Sequence, residues 1–265
     1  MTQDNPENPR KFLEYLDELI GRLRSSIILF IAIFFLTFLF GFKQTVIYGI
    51  KLYYPFPDFY SSISIKVIDL IEKRLVPPGF ILINISPFDT VVTIAYTSIS
   101  ISAAITIPLM IYQIIKFSLP ALYPKERKAI ILAPIAIIAL FIIGVAFSIM
   151  VVLPLLFKVI LVLSRSLNVE PTMGIKNFIS IILMLSIGIG LSFETPVVII
   201  LLSYFKIVKP EVWFRNWRYA VIGAFFIALL ISPGATGGIM EVTIATVILT
   251  LYFIGALIAF KVYKK

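Results

Sequence analysis

With no histidine and no cysteine, the chain leaves its chemistry to carboxylates, and one of these stands where a carboxylate is expensive. Glu194 is the only charge in the apolar run 177–205, 11 residues before Phe205. At 1.5 Å per helical residue that is about 16 Å from the inner end of the run, near mid-bilayer. A charge there costs about 3 kcal/mol even on the lenient insertion scale. Glu194 therefore faces a cavity, meets a partner or carries a proton. Pro196 removes the helix hydrogen bond to the Ser192 carbonyl, and Gly188 and Gly190 precede it. The pattern describes a kinked helix presenting one carboxyl to a polar concavity. A structural hydrogen bond between helices is the plainer alternative.

Two further carboxylates sit in basic surroundings. Segment 9–24 reads as a helix at the inner membrane interface, with Asn8 as cap and Pro9 in the first turn. Phe12, Leu13, Leu16, Leu19, Ile20 and Leu23 form its apolar stripe, and Glu14, Asp17 and Glu18 lie on the other side. Glu18 either pairs with Arg22 four residues on or is free to meet an outside cation. Segment 116–128, KFSLPALYPKERK, is broken by Pro120 and Pro124 and carries Phe117, Leu122 and Tyr123 as apolar or aromatic surface. Glu126 is its one acid among four cations, either neutralised by Lys125 and Arg127 or an acidic spot for a guanidinium, which pairs with carboxylate in a planar, bidentate way. Hydrolase chemistry has little to work with, since the membrane interior holds one carboxylate rather than a facing pair. There is no GxxxxGK[ST] nucleotide site, no catalytic residue is assigned, and no metal or cofactor is implied.

The elements that position these groups follow from composition. Hydrophobic residues make up 60% of the 265, only 14% are charged, and the mean hydropathy is +1.05, more apolar surface than a soluble fold hides. Charges punctuate six candidate spans at 25–42, 90–115, 129–157, 177–205, 219–231 and 242–260. The fold expected is an all-α polytopic membrane protein, one domain over 1–265, with six transmembrane helices. The fifth has 13 residues, about 20 Å, short for a hydrocarbon core of roughly 30 Å. Fifteen of the 23 Lys and Arg fall in segments 1–24, 116–128, 206–218 and 261–265, which places both termini in the cytoplasm. The formal charge of +9 is thus explained by orientation and anionic lipid rather than nucleic acid. The polar, acidic stretch 1–8 is not a cleavable signal peptide. The outer segment 43–89 is a cap. Within it 61–75 forms an amphipathic helix through Ile63, Val67, Leu70 and Ile71, Pro77-Pro78-Gly79 stops that helix, and ILINI is extended. Asn84-Ile85-Ser86 matches a glycosylation triplet and is read as an unmodified loop. Pro108, Pro134 and Pro154 bend their spans, in keeping with a concave assembly.

In order along the chain, YLDELIGRL, SPF, YQIIKFSLPALYPKERK, LSFETPVVIILL and YAVIGAF before a short fifth span resemble the landmarks of the TatC family over nearly the whole sequence. The inner-loop block is close to that family's YQxWxFxxPALYxxERR. The resemblance implies a non-enzymatic receptor and core subunit of the twin-arginine protein translocase in the cytoplasmic membrane, exporting folded proteins on the proton-motive force. It implies that Glu18 and Glu126 meet the two signal-peptide arginines, with Arg22, Phe117, Pro120, Leu122, Tyr123 and Arg127 on motif positions around them. It makes Glu194 the intramembrane acid of the fourth span. Single-span partner subunits of the TatA and TatB type are expected at the end of the fifth, Leu229 to Ser232, and self-association is open. Departures are Tyr15 for a His, Ile20 for an Arg, and Pro233-Gly234-Ala235 where the family has an acid, Glu241 being the nearest carboxylate. The rival reading from another class is a proton-coupled solute transporter with Glu194 as relay, although the chain lacks the paired repeats of many transporters.

Overall fold

The computed structural model describes residues 9–47, 50–118, 127–232, 234 and 236–263. Helix α1 (Pro9–Leu39) is a single helix of 31 residues, so the interfacial helix and the first span expected separately are continuous. No proline and only one glycine, Gly21, lie between Arg10 and Leu39. The change from charged to apolar residues after Arg24 marks a change of surroundings, not a break in the backbone.

The cap holds an element the sequence reading did not anticipate. Strands β1 (Phe40–Ile47) and β2 (Ile50–Pro57) pair antiparallel, from Phe40↔Pro57 to Ile47↔Ile50. At the base of this hairpin Gly41 lies against Ser61, where any Cβ would collide with the Ser61 carbonyl. Asp58 caps the 3-10 turn Phe59–Ser61, and the expected amphipathic helix follows as α2 (Ile63–Leu75). The extended ILINI supplies β3 (Ile81–Ile83), which pairs in parallel with β4 (Thr172–Gly174).

The remaining helices are α3 (Asp89–Ser118), α4 (Arg127–Phe147) and, beyond a π-helical turn at Ser148–Val152, α5 (Leu153–Ser166). Helix thus continues well past the boundary expected at 157. Then come α6 (Ile175–Phe193), α7 (Thr195–Tyr204), α8 (Pro210–Arg215), α9 (Trp217–Ile231) and α10 (Ile239–Tyr263). Among the described residues, four helical stretches are long and apolar enough to cross a membrane: Asp89–Ile114, Ala133–Ser166, Ile175–Tyr204 and Ile239–Tyr263. Leu23–Leu39 and Trp217–Ile231 are shorter apolar helices.

Polarity is arranged for a lipid solvent. Large side chains such as Ile27, Phe35, Ile142, Phe226 and Leu257 are exposed. Thr93, Thr97, Ser98, Ser102 and Thr106 on α3 are buried, each bonding the carbonyl four residues back. Ser64 of α2 joins this ladder at Ser98 Oγ, 2.7 Å, and donates to Thr37 O of α1, 3.1 Å. These contacts bring α1, α2 and α3 together. The apolar core gathers α5, α6 and α10, with Phe157 fully buried between Phe80 and Phe178.

Candidate functional site

Glu194 forms the joint between α6 and α7. Pro196 has no N–H, so the ladder is interrupted there, and α7 restarts with Val198 N donating to Glu194 O, 3.1 Å. Glycines let neighbouring helices close on this joint. A Cβ at Gly144 of α4 would stand 2.9 Å from Gly190 Cα and from Phe193, and one at Gly255 of α10 would stand 2.8 Å from Pro196 Cα. The Phe193 ring meets Phe147 at 5.6 Å. The carboxyl is accordingly only 3% exposed, and both its oxygens lack a hydrogen-bond partner among the described residues. Among the described residues Glu194 makes no hydrogen bond between helices. The close glycine crossings seal it.

Glu18 and Arg22 lie one turn apart on the N-terminal half of α1, Phe117 in the last turn of α3, and Arg127 at the start of α4. Their side chains, and all of Pro120, Leu122, Tyr123 and Glu126, fall outside the described residues. The register of α1 against α3 is set by Ser26 Oγ donating to Gln113 Oε1, 2.9 Å. The two helices are antiparallel in chain direction. Glu18 therefore lies about 12 Å and Phe117 about 6 Å from that bond along their axes, both in the direction away from α2.

The end of the fifth apolar helix divides the two residues singled out there. Leu229 is 63% exposed, on a helix whose Ile222, Phe226 and Leu230 are also exposed. Ser232 is buried and donates from Oγ to Glu241 Oε1, 2.7 Å, while Thr236 Oγ1 donates to Glu241 Oε2, 3.3 Å. Glu241, nine residues on, is thus folded back to the turn where the resemblance had left an acid missing. Its position after three glycines, Gly234, Gly237 and Gly238, all at positive φ, was the available signal.

Two other contacts escaped the sequence reading. Asp89 Oδ2 accepts from Ile85 N and Ser86 N at 3.2 and 3.0 Å, and its Oδ1 lies 3.5 Å from Lys176 Nζ, clasping the start of α3 to the start of α6. Trp213 Nε1 donates to Ser203 Oγ, 2.9 Å, and Tyr252 Oη to Trp213 O, 2.8 Å, holding α8 against α7 and α10. Among the described residues no group of three or more Asp or Glu is placed to hold a metal.

An apolar girdle, hydroxyls turned inward and a sealed carboxyl at a helix joint define a polytopic α-helical membrane protein. The family described as Sec-independent protein translocase protein (TatC) matches residues 14–246. A TatC from Cenarchaeum symbiosum is 26% identical, covering 94% of this chain and 94% of its own length. The Escherichia coli K12 TatC is 31% identical, covering 86% and 80%, and Bacillus subtilis TatCy is 29% identical, covering 97% and 92%. A crystal structure titled as the twin arginine translocase receptor TatC superposes with a TM-score of 0.76 at 27% identity, covering 95% of this chain and all of that one. The chain belongs to the TatC family, whose members are components of a protein translocase and not enzymes.

Proposed function

We propose that this chain is the receptor and core subunit of a twin-arginine translocase in the cytoplasmic membrane. It crosses the bilayer six times with both ends inside, Leu23–Leu39 and Trp217–Ile231 being the two shorter spans. The arginines of a signal peptide meet Glu18 and Glu126, with Phe117 and Tyr123 flanking them, and the signal's apolar stretch enters toward Glu194. The observation that carries this reading is the Ser26–Gln113 register. It supports a shared site because the Glu18 turn of α1 and the end of α3 at Phe117, from which the chain continues to Glu126, lie on the same side of that bond. Arginine suits that site better than lysine because its planar fork pairs with carboxylates at two points.

The exposed apolar side of α9 supports the docking of single-span partner subunits there, and the exported chain's passage draws on the proton-motive force. In the test, a photo-crosslinking signal peptide with an Arg-Arg pair is compared with its Lys-Lys counterpart, on the wild type and on Glu18→Ala/Glu126→Ala. Crosslinking that needs Arg-Arg and falls at least tenfold in the double variant is expected. Equal yields from both proteins would remove the site.

A further inference from the structure

Helix α1 is short for a bilayer. Its apolar part, Leu23–Leu39, is about 25 Å long at 1.5 Å per residue, against a hydrocarbon core of roughly 30 Å. Strand β1 begins at the next residue, with no loop between. The base of the hairpin is pinned to the helix end by the Phe40↔Pro57 pair and by Asp58 N donating to Leu39 O, 3.0 Å. Phe42 and its partner Pro55 therefore lie about 10 Å beyond Leu39, at about 3.3 Å per strand residue. With Leu23 at one boundary of the hydrocarbon, that is roughly 5 Å outside the other, within the headgroup layer. This depth rests on the proposed reading of α1 as a span.

The side chains at the hairpin base suit that layer. Phe42, Tyr54 and Phe56 are exposed. Lys43 Nζ stands 4.7 Å from the Phe56 ring centre, and Lys66 Nζ stands 5.7 Å from that of Phe42 and donates to Phe42 O, 3.1 Å. Aromatic rings at the hydrocarbon boundary, with ammonium groups reaching out to the phosphates, are what a membrane interface favours. The strand edges argue against a protein strand as the cover. Asp58 N faces β1, and donors alternate in direction along an antiparallel strand, so the nitrogens of Pro55 and Pro57 face away from β1. Proline has no N–H, so a strand added there would miss both bonds. On the other side the bridge from Gly41 to Ser62 occupies the base of the β1 edge. We propose that the base of the hairpin is a membrane anchor, with Phe42, Tyr54 and Phe56 seated in the lipid headgroup layer on the cap's side. It completes the crossing that α1 begins, and its partner is the lipid surface.

The test measures depth in liposomes of phosphatidylcholine and phosphatidylglycerol that hold the full chain and no other protein. A spin label is carried by Pro55→Cys, exposed and paired with Phe42, or by Leu36→Cys, exposed on α1. Collisions with oxygen, which concentrates in hydrocarbon, and with a water-soluble nickel complex report the depth of each. The Leu36 label is expected in hydrocarbon, and the Pro55 label within about 8 Å of its boundary. Adding Phe42→Ser/Phe56→Ser is expected to shift the Pro55 label into bulk water while the Leu36 label stays. Adding Phe42→Trp/Phe56→Trp instead is expected to keep both depths, which separates loss of the anchor from loss of the fold. A Pro55 label already in bulk water beside the native aromatic residues, with Leu36 in hydrocarbon, overturns the anchor and leaves the span standing. So does a depth that the serine variant leaves unchanged. A Leu36 label in water overturns the span itself, and the six-span reading with it.

Discussion

With no hydrogen-bond partner among the described residues, Glu194 is held at a cost to the fold. A buried polar group with no partner gives up its hydration and receives nothing in exchange, a loss of about 1–3 kcal/mol. Glu194→Leu puts an apolar side chain in the same sealed position, so it is expected to raise stability by about 1–3 kcal/mol while export of a twin-arginine substrate is lost. Thermal denaturation in detergent and a transport assay read the two effects. A leucine variant that melts well below the wild type would mean that the carboxyl has a stabilising partner. The opposite logic governs Asp58 in the cap. Ser61 Oγ donates to it at 2.8 Å and Tyr60 N at 3.1 Å, and these bonds, the Ser61 hydroxyl foremost, hold its carboxyl below its ordinary value of 3.8. Because the folded value is the lower one, the stabilisation is complete above the ordinary value and is lost as pH falls through the depressed one. Hydrogen exchange at Tyr60 is expected to quicken only in that acid window. Asp58→Asn should abolish this pH dependence, and an unchanged profile would show that the turn is held by other contacts.

Among the elements, glycines decide how closely helices approach at the joint. A Cβ at Gly255 would meet the Pro196 backbone, which cannot swing aside, whereas Gly223 of α9 has open space around it. Gly255→Val is expected to cost about 1–3 kcal/mol through overpacking. Gly223→Ala is expected to stabilise by up to about 1 kcal/mol through helix propensity. Denaturation of the two variants in mixed detergent checks both, and equal effects would sink the account of the crossing. The α6–α7 joint was legible because Pro196 has one local consequence wherever it stands in a helix. Helix α2 was legible because its apolar positions recur at helical spacing. The hairpin was not: 40–57 has no Asn-Gly or Asp-Gly turn, and Pro55 and Pro57 argue locally against a strand. Its register depends on Gly41 meeting Ser61, a contact between segments. Charges did not mark helix ends at α1 and α5. Arg24 and Lys158 bound the spans expected at 25–42 and 129–157, yet helix runs through both, since a long basic side chain leaves the bilayer without breaking the backbone. The seal around Glu194 could not be foreseen, because it depends on which helices cross at Gly144 and Gly255.

For the whole molecule, the strand pairing constrains topology independently of hydropathy. Parallel pairing of β3 with β4 ties the cap to the connection between α5 and α6. Whatever the number of spans, these two segments share one side of the membrane. The six-span arrangement adds that the connection after α7 lies on the other side. The chain has no cysteine, so a single introduced thiol reports alone. Tyr60 is 90% exposed in the cap, Leu167 73% exposed after α5 and Ile207 63% exposed after α7. On intact cells a membrane-impermeant maleimide is expected to label Tyr60→Cys and Leu167→Cys, and to label Ile207→Cys only after lysis. Labelling of Ile207→Cys from outside would mean that α6 and α7 together do not cross the bilayer, and the cytoplasmic placement of the basic segments would fail with it. Labelling of Tyr60→Cys and Leu167→Cys from opposite sides would contradict the β3–β4 pairing itself, because no bilayer can pass between two hydrogen-bonded strands.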